Sequence, residues 1–395
     1  MVCTNMKKRI VSIVLVLVMA LGLMSSASAE LDTQNPIKIG FEGWCSGVDA
    51  YFGIVAQKVM EDYIEQVNEN GGWLGRKVEL ITMDYSKDFS ECVNATNKLI
   101  QMGCVAIVGP DGDPFAPPIA PLLEQAKVPA IGNGIVTPQS TLKEDGVTVT
   151  PYLFRTSPLA TDGCEALARY IYNELGARTV ATLTEKTNVQ SVYMTEAFEK
   201  TFEELGGKVV AREGYELLAS EFRAQLTNIM MADPEYLFMP AAAHKEVGNA
   251  AKQLAQLGNE TIKWLGYDCW VFPELLDNAG PELEGSLIFT AADIESEMFD
   301  DVRALYESKH SDLNMSLHIW AIYALDALKV IENAILTTGS TDGEVLRDAI
   351  ENTRDLPVTT GIFTNNPATH APSGVVWNLM EIKGSAFVDT GIRIQ

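Results

Sequence analysis

The sequence predicts an α/β protein of two similar lobes, each with a doubly wound parallel β-sheet that helices cover on both faces. Short apolar runs alternate with amphipathic helical patterns along most of the chain. The alternation restarts after Pro151. The length of 395 residues is enough for two domains of ordinary size. Because strand–helix–strand units form parallel sheets with helices on their faces, these observations predict the fold class.

The first 29 residues have the three parts of a secretory signal peptide. Basic residues charge the start, and residues 10–24 form an apolar run too short to span a membrane comfortably. Ala27-Ser28-Ala29 then forms an A-x-A cleavage site. An uncleaved membrane anchor is the alternative. We expect cleavage after Ala29, a mature chain that begins at Glu30, and a periplasmic location.

The first predicted lobe alternates strands and helices. The longest helical pattern places Val55, Val59 and Met60 on one apolar face. Asn70-Gly71-Gly72 ends this helix because glycine adopts the left-handed conformation at little cost. The predicted strands are 37–41, 78–83, 105–109 and 128–131, and the predicted helices are 49–68, 91–102 and 114–126.

The second predicted lobe repeats the pattern. Residues 153–155 are expected to be extended, and Gly176 follows the predicted helix 162–175. The further strands are 179–183, 208–211, 236–239 and 262–265, and the further helices are 191–205, 221–231 and 245–257. Because no low-complexity linker separates the halves, we expect short crossovers between the lobes.

The last hundred residues depart from this alternation. Residues 314–336 predict one long helix that Gly339 ends. The segment Thr341-Asp342-Gly343-Glu344 has the pattern of a capping box that opens another helix. From Thr359 onward, prolines and glycines predict turns and short strands.

The charge of the chain excludes some classes of partner. The formal net charge is −24, and it becomes about −27 when the three basic residues of the leader are removed. Such an acidic surface repels phosphate backbones, so we expect no nucleic-acid partner. High acidity also favours solubility, which is a sufficient explanation on its own.

Five cysteines follow the leader, an odd number that leaves at least one unpaired in an exported chain. Cys104 and Cys164 lie in apolar patterns and are interpreted as small buried hydrophobic residues. A disulfide between Cys92 and Cys104 is an open alternative.

Motifs for catalysis and for cofactor or metal binding are absent from the sequence. Gly132-Asn133-Gly134 begins a G-x-G-x-x-G pattern, but Thr137 occupies the third glycine position. No G-x-S-x-G, H-E-x-x-H or phosphate-loop motif occurs. The four histidines are little material for acid–base or metal chemistry. We expect no catalytic activity, no cofactor and no metal site, and an α/β enzyme is the rival class.

Four segments of the chain resemble the periplasmic solute-binding proteins of type I fold, in the branched-chain amino-acid (leucine/isoleucine/valine) group of ATP-driven importers. The similarity covers nearly all of the mature chain. The segments are residues 37–47 (IKIGFEGWCSG) with Phe52-Gly53, residues 70–80 (NGGWLGRKVEL) with Asp84, residues 105–109 (VAIVG) and residues 318–323 (HIWAIY).

The resemblance implies two Rossmann-like lobes joined by three hinge crossovers, with the ligand in the cleft between them. The crossovers are expected near residues 153–156, 287–291 and 356–360. Hinge closure around a small molecule, docking on the membrane permease of an ABC importer and a monomeric state are the expected behaviour. The expected domains are residues 36–152 plus 290–358 for lobe 1, and residues 153–289 plus 359–395 for lobe 2.

The resemblance also implies ligand contacts in lobe 1. Family members hold an amino acid's carboxylate with a hydroxyl residue after the third strand, and Asp113 lies near that position here. A carboxylate there repels a ligand carboxylate, which argues against ordinary leucine-type recognition. Asp113-Pro114 also has the pattern of a helix N-cap, and this alternative stays open. Thr137 and Ile135 of the next loop are expected to offer a hydroxyl and backbone donors, although Thr137 also suits a turn.

In lobe 2, Asp268 matches the acidic residue that pairs with the ligand's ammonium in this family, and a solvated loop acid is the alternative. Asp113 and Asp268 together would surround a cation from opposite lobes. Trp44 and Trp270 lie in loops that face the cleft in this family and suit an apolar group or a cation. The alternative is that each tryptophan packs its own loop. The other predicted cleft residues are Ser46, Phe52 and His318, the last with a capped or solvated histidine as its alternative.

We therefore expect a secreted receptor that delivers a small amine-bearing solute, an amino acid or a close derivative, to an importer. One alternative is a cationic or aromatic solute without a free carboxylate, which the two acids and the two tryptophans favour. Another alternative is a ligand-sensing module for a membrane receptor.

Overall fold

The computed structural model describes residues 31–47, 49–241, 244–259, 261–292 and 297–395. The predicted signal peptide lies outside the described residues. Among the helices in the described ranges, none combines the length and the apolar character that a membrane crossing needs.

The first sheet is parallel, and it has the order β2-β1-β3-β4-β5. Apolar side chains such as Ile37 and Ile39 of the first strand, an inner strand of the sheet, are fully buried, since helices cover the sheet. This sheet forms lobe 1. Its strands are β1 (Asp32–Gly43), β2 (Arg76–Asp84), β3 (Ala106–Val108), β4 (Ala130–Gly132) and β5 (Leu153–Arg155), and the helices between them are α1 (Ala50–Glu69), α2 (Phe89–Gln101) and α3 (Ala116–Ala126).

The second sheet has seven strands in the described part of the chain and forms lobe 2. Five adjacent strands of this sheet are parallel and alternate with helices in the chain. These strands are β6 (Thr179–Glu185), β7 (Lys208–Tyr215), β8 (Tyr236–Phe238), β9 (Lys263–Tyr267) and β10 (Leu287–Thr290). The helices are α4 (Ala160–Asn173), α5 (Val189–Glu204), α6 (Arg223–Ala232), α7 (His244–Gln256) and α8 (Pro273–Ala279).

The last part of the chain contributes to both lobes. Helices α9 (Asp300–His310), α10 (Ile319–Thr338) and α11 (Gly343–Glu351) follow β10, and α10 packs on α1 of lobe 1. Two short hairpin pairs come next, β11 (Leu356–Val358) with β12 (Gly361–Phe363) and β13 (Asn365–Asn366) with β14 (Ala371–Pro372). Finally β15 (Trp377–Lys383) and β16 (Ala386–Ile394) extend the second sheet beside β10 as antiparallel strands, in the order β16-β15-β10-β9-β8-β6-β7.

The C-terminal region corrects two sequence predictions. The long helix begins at Ile319 rather than at residue 314, because Asn314 has a left-handed backbone and His318 is the N-cap, whose Nδ1 accepts the N–H of Ala321 at 3.2 Å. The cap of α11 is Asp342 and not Thr341, since the Asp342 carboxylate accepts the N–H groups of the first turn.

The cysteines of the described chain are all free thiols. The alternative of a Cys92–Cys104 disulfide is therefore wrong. Both side chains are buried among apolar residues of lobe 1, as the interpretation of Cys104 as a small hydrophobic residue predicts.

Candidate functional site

Three loops that leave the carboxyl ends of β3, β4 and β9 meet between the two sheets. Each loop contains a short 3-10 turn, at Asp113–Phe115, Pro138–Ser140 and Asp268–Trp270. The carboxyl edge of a parallel sheet is where open α/β folds bind ligands. The position of these turns therefore marks the candidate site.

Aromatic rings join the two lobes at this place. The ring centroid of Phe272, which follows β9 in lobe 2, lies 6.0 Å from that of Tyr51 and 6.4 Å from that of Phe52, both in α1 of lobe 1. Tyr51 and Phe52 also contact the buried ring of His318 at 4.6 and 5.3 Å. Phe52 and His318 were predicted here, and the structure brings them together. His318 also caps α10, which was its alternative role.

Trp44 lines the lobe 1 side of the site. Its ring lies 6.2 Å from those of Phe52 and Phe115 in edge-on geometry. A Cβ atom on Gly112 would lie 2.6 Å from the indole, and Gly112 also has φ +85°, so only glycine suits this position. The Lys87 ammonium lies 4.0 Å from the ring centroid. Trp44 thus presents a ring that already contacts one cation.

Asp113 ties two loops of lobe 1 together. Its Oδ1 accepts the backbone N–H groups of Val136 and Thr137, each at 2.8 Å, and the Thr137 hydroxyl at 2.9 Å. The Ser140 hydroxyl donates to the same oxygen. The expected N-cap is wrong, because Gly112 occupies that position and Asp113 makes no capping hydrogen bond. The carboxylate instead holds the loop that follows β4.

Arg155 holds the same loop from the other side. Its guanidinium is fully buried and donates to the backbone oxygen of Thr137 at 2.6 Å and to the Thr141 hydroxyl at 2.8 Å. The Ser157 hydroxyl donates to the backbone oxygen of Ile135 at 2.6 Å. The side chain of Ile135 is fully buried, so it packs inside lobe 1. These bonds fix the loop in one conformation.

Asp111 is an acid of this site that the sequence reasoning missed. Its side chain is 4% exposed, and its Oδ2 has no hydrogen-bond partner among the described residues. Burial raises the pKa of the Asp111 carboxyl to about 7. A Cβ atom on Gly134 would lie 1.6 Å from Oδ1 of Asp111, so the glycine-rich loop after β4 leaves room for this carboxylate.

Asp268 is buried at the carboxyl end of β9. Its side chain is 8% exposed and accepts the backbone N–H of Cys269. Within the ranges that the structure describes, no lysine, arginine or histidine forms an ion pair with it. Burial raises the pKa of its carboxyl to about 7. The alternative of a solvated loop acid is therefore wrong.

Two of the residues predicted to line the cleft, Trp270 and Ser46, do not face the space between the three loops. The Trp270 ring is fully buried against Gly266 and contacts Trp264 at 6.4 Å, so it packs its own lobe, as its alternative stated. Ser46 is exposed, and its hydroxyl is hydrogen-bonded to that of Ser86.

Charges near the site are mostly negative. Lys87 of lobe 1 pairs with Asp49. Burial raises the pKa of Glu185, at the end of β6 in lobe 2, and Lys87 opposes this rise. The lysine thus lies between acids of both lobes. The described residues contain no group of three or more His, Cys, Asp or Glu side chains that is arranged to hold a metal ion.

Some residues of the site had only weak signals in the sequence. Asp111 stands two positions before Asp113 in the same loop, and Phe272 stands four positions after Asp268. Asn133 is 1% exposed, and neither atom of its amide has a partner in the described ranges. Polar residues that directly follow a buried strand were the available signal.

Comparisons with known proteins agree with this geometry. A family model described as "periplasmic binding protein" matches residues 36–386. The leucine-, isoleucine-, valine-, threonine- and alanine-binding protein of Pseudomonas aeruginosa is 26% identical over 340 residues, which cover 86% of this chain and 88% of that protein.

Solved structures show the same fold. A leucine binding protein from Thermotoga maritima has a TM-score of 0.77 and 24% identity, and the match covers 91% of this chain and 99% of that one. A solute binding protein of an ABC transporter from R. palustris, in complex with 4-hydroxybenzoate, has a TM-score of 0.78 and 22% identity, with 91% and 97% covered.

Proposed function

Since the chain belongs to the periplasmic binding protein family, a family of solute-binding proteins and not of enzymes, we propose that it captures a small amine-bearing solute between its two lobes and delivers it to an ABC-type permease. An amino acid or a close derivative is the default solute. The observation that carries this proposal is Asp268, a buried carboxylate between the lobes for which the described chain supplies no counter-cation. A protonated amine would supply that charge.

Hinge closure is the mechanism that the contacts support. Phe272 of lobe 2 contacts Tyr51 and Phe52 of lobe 1 through aromatic rings. A site that closes around its ligand removes water, which strengthens each charged contact. We propose that the closed form, with these rings in contact, is the one that docks on the permease.

The lobes are proposed to be residues 36–152 plus 290–358, and residues 153–289 plus 359–395, with the first boundary moved past Arg155 because β5 pairs with β4 in the sheet of lobe 1. The pairing of β15 with β10 supports the return of the chain to lobe 2. The leader is proposed to be removed after Ala29 on export to the periplasm, and the protein to act as a monomer. Mass spectrometry of the exported protein tests the cleavage site, since a chain that begins at Glu30 has a defined mass.

A thermal-shift screen tests the function. Amino acids, amines and aromatic acids are added singly to the purified protein, and a ligand raises the melting temperature with the logarithm of its concentration. We expect at least one amine-bearing compound to do so. No shift with any compound of the panel would contradict the proposal.

Asp268→Ala gives the matched test of the site. It is expected to abolish binding of the compound that the screen identifies. The control is Glu69→Gln, which removes one negative charge from an exposed position at the end of α1. Wild-type affinity in Asp268→Ala would refute the role of this carboxylate.

A further inference from the structure

Four donors of the loop after β4 are already used within the protein, whereas the Asn133 amide of the same loop has no partner in the described ranges. Four groups, the N–H of Val136, the N–H and hydroxyl of Thr137 and the hydroxyl of Ser140, all donate to Oδ1 of Asp113. A solute carboxylate at this place would have to compete with a buried protein carboxylate for those donors. The two negative charges would also repel each other. Lobe 1 therefore offers a poor receptor for an anion.

Within the described residues, Asp111 is a buried acid without an ion pair that lies in the loop after β3. Its Oδ2 is buried and without a partner in the described part of the chain. The nearby cation, Lys87, is already paired with Asp49 and lies over the Trp44 ring. A buried carboxylate without a partner is costly, so its persistence at a binding cleft points to a ligand that supplies a positive charge.

Asp111 of lobe 1 and Asp268 of lobe 2 both lie near the buried thiol of Cys269. After burial itself, the charges of both acids raise the pKa of this thiol. The Tyr323 hydroxyl of α10 is buried and lacks a partner among the described residues, and burial and Asp268 raise its pKa. Two carboxylates and one hydroxyl thus lie near Cys269.

Aromatic rings close the remaining sides. Tyr51 and Phe272 contact each other edge-on across the lobes, with ring centroids 6.0 Å apart, and Trp44 continues the wall through Phe52 at 6.2 Å. Ring faces attract organic cations most strongly where water is excluded. A strongly hydrated metal ion gains little from such a wall, whereas an alkylated or protonated amine packs against it.

We propose that the solute is an organic cation without a carboxylate, held between Asp111 and Asp268 against the wall formed by Trp44, Tyr51 and Phe272. This inference rests on the proposed function and narrows its substrate class. The discriminating chemical feature is the absence of a carboxylate, because Asp113 occupies four donors of the loop after β4 and its charge repels a second carboxylate.

The experiment compares amines with their carboxylated counterparts. The full mature chain is titrated calorimetrically with three matched pairs: phenethylamine and phenylalanine, isopentylamine and leucine, choline and glycine betaine. In at least one pair the amine is expected to bind about tenfold or more tightly than its carboxylated partner. Equal or tighter binding of the carboxylated member overturns the inference and leaves the proposed function standing.

Charge-removing variants complete the test. Asp111→Asn and Asp268→Asn each conserve shape and remove a buried charge, so both are expected to fold at least as stably as the wild type. Each is expected to lose about tenfold or more in affinity for the preferred amine, whereas Glu69→Gln keeps wild-type affinity. Unchanged affinity in Asp111→Asn overturns the inference. If none of the six probes binds, the inference fails, and the wider amino-acid and aromatic-acid screen decides whether the proposed function fails with it.

Discussion

Oδ1 of Asp113 and the hydroxyl of Thr137 lie 2.9 Å apart, and this hydrogen bond joins the loop after β3 to the loop after β4. Both residues were predicted as ligand contacts, yet each is the other's partner. Because Asp113 also accepts two backbone N–H groups of the second loop, it sets the shape of the wall that a ligand meets.

Replacing Asp113 by alanine is expected to destabilise the fold. Two backbone N–H groups and two hydroxyls, those of Thr137 and Ser140, lose their acceptor. This loss costs about 3 kcal/mol or more in the free energy of unfolding. Urea titration followed by circular dichroism measures the loss. Asp111→Asn is the control from the same loop, because its Oδ2 has no described partner to lose. Equal stability of Asp113→Ala and the wild type would show that the loops do not depend on this carboxylate.

Glu42 is expected to make stability fall as the pH rises. It is fully buried at the end of β1, and burial raises the pKa of its carboxyl from 4.5 to about 8, against a lowering by the hydrogen bond from Thr96. Between these values the unfolded chain has lost the proton that the folded chain keeps. Stability therefore decreases with pH across this window, and the total loss above it is about 5 kcal/mol.

Glu42→Gln tests this directly. The amide keeps an acceptor for the Thr96 hydroxyl and cannot ionise, so the variant is expected to gain stability over the wild type as the pH is raised from 5 to 8. Urea midpoints at several pH values measure the difference, and Glu69→Gln serves as the exposed control. Parallel pH profiles for Glu42→Gln and the wild type would contradict the prediction.

Affinity for the amine is expected to depend on pH near neutrality. Burial raises the pKa values of Asp111 and Asp268 to about 7 in the unliganded protein, and a cation binds their ionised forms. Below that pH the carboxylates must lose protons when the cation binds, so protons are released on binding. Affinity therefore falls as the pH falls from 8 to 6. Calorimetry in two buffers of different ionisation enthalpy counts these protons. Asp268→Asn should release fewer, and an equal release in both proteins would count against the assignment.

Phe272→Ala is expected to weaken binding through the closed form. The ring contacts Tyr51 and Phe52 across the lobes and belongs to the proposed ligand wall, so its loss favours the open arrangement, removes a ligand contact and reduces affinity about tenfold. Small-angle scattering with saturating amine should still show compaction, at a higher ligand concentration. Phe89→Ala, which truncates an exposed ring in lobe 1, is the control. Wild-type affinity in Phe272→Ala would show that closure around the ligand does not depend on this ring contact.

The fold could be predicted from the sequence where local patterns carry it. β5 was expected at residues 153–155, where it lies, because apolar runs after the restart mark buried strands. α9 was missed since its sequence is mostly polar and only Tyr306 is buried. β15 and β16 were expected to be short, but they complete a large sheet through pairing with β10, a contact over about ninety positions that no local pattern encodes.

The site could be predicted only as a set of loops. The resemblance to a known family placed Asp113, Thr137 and Asp268 in one cleft, but the partner of each side chain depends on long-range packing. The four donors to Asp113 depend on how the loop after β4 folds back. The sequence therefore does not distinguish a ligand contact from a loop support.

The late position of β15, β16 and α10 in the chain has a consequence for how the molecule is made. Lobe 1 lacks the helix that packs on α1 until residue 338 has been synthesised, and the sheet of lobe 2 lacks its antiparallel edge until residue 394. Neither lobe can therefore complete its native packing before the last strands have been synthesised.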